Sequence, residues 1–297
     1  MCRLTLTLFC SILFVAVSAS DKRPLIRCAT DQEVYASLAR YKNVQLVLIG
    51  TDYIFHRPLV INGRVRISTQ LKQDITFHTL SMPALFEIKK GGHLHLQGLE
   101  LDGNDIKATH FIYSDSTDRS GILLEKNSFR SFSHIYGCEY LIKLPGHAVM
   151  DSIILTKNYF INNALTILSV KTDSINISKS KNQKIRADNN IFINHSAMIM
   201  DLMQEPNIIK KVRLHLTVEE NTFDNCNTSA GDPLFNLTGV HRSNFFFNSF
   251  ASSNPGKKLV AYHDAVEAQH IFTRNILTRS GTIEPNQYVT ETHNTIQ

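Results

Sequence analysis

The chain has no tryptophan, five cysteines in 297 residues and only 19% charged side chains. With 13 glycines and 8 prolines it is too poor in both for a collagen-like or linker-dominated architecture. No Cys-x-x-C pair is present, which argues against zinc-ribbon and dithiol redox chemistry. Past the amino-terminal segment no apolar run is long enough to cross a bilayer, so no membrane span is expected. The formal net charge is only +5, and aliphatic residues are spread along the whole length, so a disordered chain is not expected, and neither is a nucleic-acid partner. Hydrophobic residues make up 43%, enough for a sizeable core, and phenylalanine is abundant at 17.

The first residues read as an address. Arg3 precedes a largely apolar run from Leu4 to Val17, which closes on Val17-Ser18-Ala19 before Ser20-Asp21-Lys22-Arg23. A basic start, an apolar run of roughly 7–15 residues and a small-residue exit make a secretory signal peptide, here 1–19, cut after Ala19. The bulky Phe9 before Cys10 argues against lipoprotein processing. A secreted or periplasmic protein follows, with residues 20–297 as one domain. Cys28, Cys138 and Cys226 remain, an odd number read as small buried thiols, with one bridge including Cys28 left open.

The chain then repeats itself. Asn127-Ser128-Phe129, Asn158-Tyr159-Phe160, Asn190-Ile191-Phe192, Asn221-Thr222-Phe223, Asn248-Ser249-Phe250 and Asn275-Ile276-Leu277 share one motif. A degenerate copy begins at Leu99 and a late one at Asn294. From Leu99 to Asn275 the gaps between markers are 28, 31, 32, 31, 27 and 27 residues. Each unit has an alternating stretch such as Val212–Leu216, then Asn-x-Phe, a polar turn such as Asn162-Asn163, and a second β-rich stretch such as Lys258–Tyr262. Alternation with period two reads as strand, where helical repeats need apolar residues at i, i+3, i+4 and i+7. Asparagine tolerates the left-handed backbone of sharp corners.

These units describe an all-β fold, a right-handed single-stranded parallel β-helix. Coils stacked about 4.8 Å apart place equivalent residues above one another, so the phenylalanines form an interior column and the asparagines a hydrogen-bonded corner ladder. Thr30-Asp31-Gln32-Glu33 is a capping-box pattern, and Val34, Leu38 and Tyr41 follow at helical spacing. A short amphipathic helix from Thr30 to about Tyr41 should therefore lid the open amino-terminal end, with Val44–Gly50 as the first strand. After Gly281 the chain is polar and is expected to be loosely tied down.

Two segments carry a resemblance. Ser81-Met82-Pro83-Ala84-Leu85-Phe86-Glu87-Ile88 and Gly91-Gly92-His93-Leu94-His95-Leu96-Gln97-Gly98-Leu99-Glu100-Leu101-Asp102-Gly103 resemble the second β-helix domain of two-domain alginate lyases, of the chondroitinase B-like polysaccharide lyases of family six. Thr30–Ile49 and Lys258–His263 are similar to that domain too, and the likeness spans about residues 28–282. It implies an anionic uronate polysaccharide as partner and β-elimination as the family's chemistry, with calcium neutralising the uronate carboxylate, a lysine as base and an arginine assisting the leaving oxygen. The acidic motif ending in Asn-Lys-Ser that carries those groups in the family has no counterpart here, and Glu219-Glu220 is the nearest acidic pair. The resemblance therefore implies an accessory domain, with a separate catalytic lyase as partner.

Candidate substrate-binding residues are His263, Arg274, Arg279 and Lys257. His263-Asp264 follows a strand and pairs an imidazole with a carboxylate, and the arginines flank Asn275-Ile276-Leu277, one unit after Lys257-Lys258. Coil stacking would gather them into a strip suited to a polyanion. Lys179, Lys181 and Lys184 form a basic run read as a solvated loop or an anion contact. His93 and His95 alternate with leucines and share one strand face, read as surface or as a metal pair. No catalytic residue or metal ligand is assigned. Three functions remain open: a polysaccharide-contacting accessory protein, an active lyase with His263 or a nearby Lys or Arg as base, or a structural or adhesive surface protein.

Overall fold

In each repeat from Gly121 onward the chain runs along one strand, turns at a corner that holds an asparagine, runs along a short second strand, turns again and runs along a third. The computed structural model describes residues 23–69, 75–115, 119–173, 180–228, 231–263, 268–284 and 287–297. Segment 1–19, Lys179 and Asp264 lie outside the described residues.

Strands repeating at this period build three long parallel sheets of 11, 8 and 9 strands. Sheet I contains Leu25–Cys28, Val44–Leu48, Arg64–Thr69, His93–Gln97, Gly121–Glu125, Ser152–Thr156, Lys181–Asp188, Val212–Glu219, Arg242–Phe246, Gln269–Thr273 and Val289–Thr292. Sheet II holds the short strands that carry the phenylalanines, from Glu100–Asp102 to Thr295–Ile296. Sheet III runs from Leu59–Ile61 through Lys258–His263 to Thr282–Ile283. In the first coils Asp52–Phe55 and Thr76–Thr79 pair with each other in the place of sheet II. The result is a right-handed parallel β-helix with a short amino-terminal capping helix.

The repeated asparagine builds the corner from sheet I to sheet II. Nδ2 of Asn127, Asn158, Asn190, Asn221, Asn248 and Asn275 each donates to Oδ1 of the next asparagine, ending on Asn294, at 2.9–3.2 Å. Each acceptor oxygen also takes the backbone N–H of the asparagine one coil earlier, as Asn190 Oδ1 does from Asn158 at 3.0 Å. The left-handed residue at this corner is not the asparagine but its predecessor: Lys126, Lys157, Asn189, Glu220, Phe247, Arg274 and His293 all have φ between 55° and 57°. The amide is spent on the ladder, and the chain reverses one position before it.

Behind the ladder lies the column of aromatic rings. Phe129, Phe160, Phe192, Phe223 and Phe250 are wholly buried and stack with centroids 5.3, 4.7, 4.9 and 4.6 Å apart, near parallel throughout. Aliphatic columns from sheets I and III close the core around them. Cys28, Cys138 and Cys226 are buried free thiols.

The lid helix spans Asp31–Arg40, with Thr30 as N-cap and both halves of the capping box formed. It buries Val34 against the core, and Tyr35 meets the Phe55 ring edge-on at 5.9 Å. Two expectations need correction. Val44–Leu48 is not the first strand, because Leu25–Cys28 precedes the helix and pairs in parallel with it. Nor is the chain after Gly281 loose: its described residues pair with all three sheets, through Thr282–Ile283, Val289–Thr292 and Thr295–Ile296. Among the described residues no helix is long and apolar enough to cross a membrane.

Candidate functional site

Period-two alternation leaves every second residue of a sheet I strand facing outward, and in-register stacking turns those residues into columns. The first column is Arg64, His93, Gly121, Ser152, Lys184, His215, Arg242 and Gln269. The second is Arg66, His95, Leu123, Ile154, Arg186, Thr217, Asn244 and Ile271, and the third Ser68, Gln97, Glu125, Thr156, Asp188, Glu219, Phe246 and Thr273. From Arg64 to Arg242 the face covers six rung steps, roughly 29 Å at about 4.8 Å each. Cations and imidazoles fill five of the eight positions in the first column and three of the eight in the second, and the carboxylates sit in the third.

Two hollows lie on this face. The larger, about 1120 Å³, is lined by Arg23, Arg40, Lys42, Arg64, His93 and His95 around a floor of Leu94, Gly121 and Leu123. The smaller, about 370 Å³, is walled by Lys184, Arg186, His215 and Arg242. They border adjacent rungs, since Ser152 and Ile154 of the first stand in register with Lys184 and Arg186 of the second. Gly121 keeps the floor low: a Cβ there would come within 3.0 Å of His93 Nδ1 and 3.1 Å of Ser152 Oγ.

Burial first, and neighbouring cations second, lower the pKa of the imidazoles on this face. Burial and the neighbouring Arg64 lower the pKa of His93. Burial and Arg66 lower that of His95, opposed by Glu125. Burial, then His241, Arg242, Arg213 and Lys184, lower that of His215. Some of the charge is matched: Arg186 Nε lies 2.9 Å from Asp188 and its Nη2 3.6 Å from Glu219. Arg64, Lys184, Arg213 and Arg242 form no ion pair among the described residues.

His93 and His95 do share one strand face, as the alternation indicates, and they line the larger hollow. Lys184 joins the smaller one. The other four candidates lie elsewhere. Lys257 and Arg279 fall at the corner between sheets II and III in successive coils, where Thr282 N donates to Lys257 O. Arg274 sits at the corner between sheets I and II, with its guanidinium 5.4 Å over the Phe247 ring. His263 ends the sheet III strand that begins beside Lys257. The coil therefore spreads these four over three corners.

Among the described residues no group of three or more His, Cys, Asp or Glu converges to hold a metal ion. Calcium takes six to eight oxygen ligands, several of them carboxylate. The carboxylates on this face are instead paired with Arg186, His95 and Lys126, so the described residues do not fit the calcium that the resemblance implies.

Fold and face together define a parallel β-helix with a cationic groove along one sheet. The chain is similar in structure to a PL6 family alginate lyase, AlyGC, with a TM-score of 0.69 over 94% of this chain and 40% of the lyase at 15% identity. A point mutant of that lyase aligns with a TM-score of 0.73 over 93% of this chain and 40% of the mutant, again at 15% identity. At that identity the likeness shows the fold, and the chain spans about 40% of the length of these lyases. No protein-family model matches the chain. No curated protein matches it either.

Proposed function

We propose that the protein is an exported β-helix that binds an acidic, uronate-containing polysaccharide lengthwise along the outer face of sheet I. The observation that carries this reading is the placement of Arg64, Lys184 and Arg242 in one outward column and of Arg66 and Arg186 in the next, beside two neighbouring hollows. An extended polyanion with a carboxylate on each sugar matches a face that carries cations at two places along it, at Arg64 and Arg66 and again from Lys184 and Arg186 to Arg242. Strand pairing already fixes the backbone, so the ordering cost of binding is confined to the side chains. Apolar Leu123 and Ile154 between the cationic clusters supply a surface for sugar rings. The fold shared with alginate lyases supports the same substrate class.

Affinity electrophoresis through gels containing alginate or polygalacturonate tests the reading. Retardation that fades with rising salt is expected, since exposed charges are screened beyond about 10 Å at 0.1 M ionic strength. Unchanged mobility on every uronate polymer would favour a structural or adhesive role. A separate catalytic lyase as partner belongs to this reading if the groove only binds.

A further inference from the structure

The outer face of sheet II takes no part in the groove. Its side chains lie one and three residues after each ladder asparagine, because the phenylalanine between them points into the core. Four successive rungs carry Ser128 and Arg130, Tyr159 and Ile161, Ile191 and Ile193, and Thr222 and Asp224. The two middle rungs are apolar, with Tyr159 49% exposed, and the flanking Arg130 and Asp224 are both exposed. The corner beside this face repeats the order. Lys126, Lys157, Asn189 and Glu220, each one residue before a ladder asparagine, run from cation to carboxylate. Arg130 bonds Glu100 of its own chain at 3.0 Å and Lys126 lies 3.7 Å from Glu125, whereas Asp224 and Glu220 form no ion pair among the described residues. An exposed apolar strip with charge at its ends is the mark of a protein interface.

We propose that sheet II is the interface between two copies of this chain, related by a two-fold axis that lies in the interface along the strands. Such an axis reverses the order of the rungs and keeps each position along the strand. Centred between the Tyr159 and Ile191 rungs, it sets Tyr159 against Ile191 of the partner subunit and Ile161 against Ile193 of the partner subunit. The same operation sets Arg130 against the partner's Asp224 and Lys126 against the partner's Glu220. Every contact occurs twice, so the apolar centre is bounded at both ends by opposite charges. The alternative two-fold in that plane, along the coil axis, keeps the rung order and brings no cation of this strip onto a carboxylate. A partner of unrelated sequence would not call for this reversal of charge about an apolar centre. The overlap runs from the Glu100 rung to the Ser249 rung, five rung steps or roughly 24 Å at about 4.8 Å each. With strands of three residues, about 10 Å wide, the area lies at the low end for specific interfaces, and micromolar association follows. Sheet I faces another side of the coil, so dimerisation does not depend on the ligand of the groove.

Sedimentation velocity of the full chain, from about 1 to about 200 µM at about 0.1 M salt, tests the interface. The wild type should show monomer and dimer in reversible exchange. Arg130→Glu alone sets carboxylate against carboxylate at both ends of the strip, and Asp224→Arg alone sets cation against cation. Each should weaken association at least about tenfold, with circular dichroism confirming that the variants fold. Mixed in equal amounts, the two variants should form a mixed dimer of near wild-type affinity, because in that pairing every cation again meets a carboxylate. A wild type that remains monomeric at about 200 µM overturns the proposal. So does either variant dimerising like the wild type, or a mixture that associates no better than its components.

Discussion

Asn190 is wholly buried, and its side chain meets four backbone and amide groups. It donates to Leu155 O and to Asn221 Oδ1, each at 2.9 Å, and accepts from the backbone and side-chain nitrogens of Asn158, each at 3.0 Å. Truncation to alanine would orphan buried donors and acceptors on both neighbouring coils. A buried unsatisfied group costs about 1–3 kcal/mol, so Asn190→Ala should lower unfolding stability by about 3 kcal/mol or more in urea titration. One residue before each ladder position the logic reverses. Glu220 is exposed at φ 55°, where a side chain is strained, so Glu220→Gly should raise stability by about 1 kcal/mol. The corner was legible in the sequence as an asparagine. Its left-handed residue was not, because lysine, glutamate, phenylalanine and arginine there share no sequence signature.

His195 is a second residue whose burial is measurable. Burial pushes its pKa down to about 4, below the ordinary value of 6.5. The folded protein thus keeps it neutral where the unfolded chain would protonate it. Its contribution is fully present above pH 6.5 and is lost as pH falls from 6.5 toward about 4, a loss on the order of 3 kcal/mol. Stability measured across that interval should fall, and His195→Gln should flatten the fall.

At the scale of elements, the stacked rings matter more than any single strand. Phe192 touches Phe160 and Phe223 in adjacent coils, so Phe192→Ala should open a cavity in the middle of the column and cost about 3–5 kcal/mol. The lid helix is held more lightly. Thr30→Ala removes one half of a capping box and should cost about 1 kcal/mol, read as a lower melting temperature. Strands, lid helix and aromatic column were all legible, because each rests on local periodicity: two for strands, 3.6 for the helix and about 30 for the coil. Leu25–Cys28 was missed, because four residues are too few to show alternation and their pairing depends on Val44–Leu48, across the helix.

At the scale of the molecule, the proposed groove depends on register, and register is where inspection of single motifs falls short. The outward columns of sheet I lie six, four and two residues before each ladder asparagine. Counting back from Asn190 gives Lys184, Arg186 and Asp188, and from Asn221 gives His215, Thr217 and Glu219. Lys184, Arg186 and Arg242 look unrelated along the chain and fall within two rungs of one another when coils are aligned this way. His263, Arg274, Arg279 and Lys257 stood out instead because they flank recognisable motifs, and flanking positions are corners, which point in different directions.

Retardation in an alginate gel, compared for two triple variants of equal charge change, tests the groove most directly. Lys184→Glu, Arg186→Glu and Arg242→Glu reverse the face of sheet I, whereas Lys257→Glu, Arg274→Glu and Arg279→Glu reverse the corners. Exposed ionic contacts are each worth up to about 1 kcal/mol, so the first triple should weaken binding at least tenfold, and the second should stay near wild type. Equal loss in the two triples, or loss only in the corner triple, would contradict a binding site on sheet I.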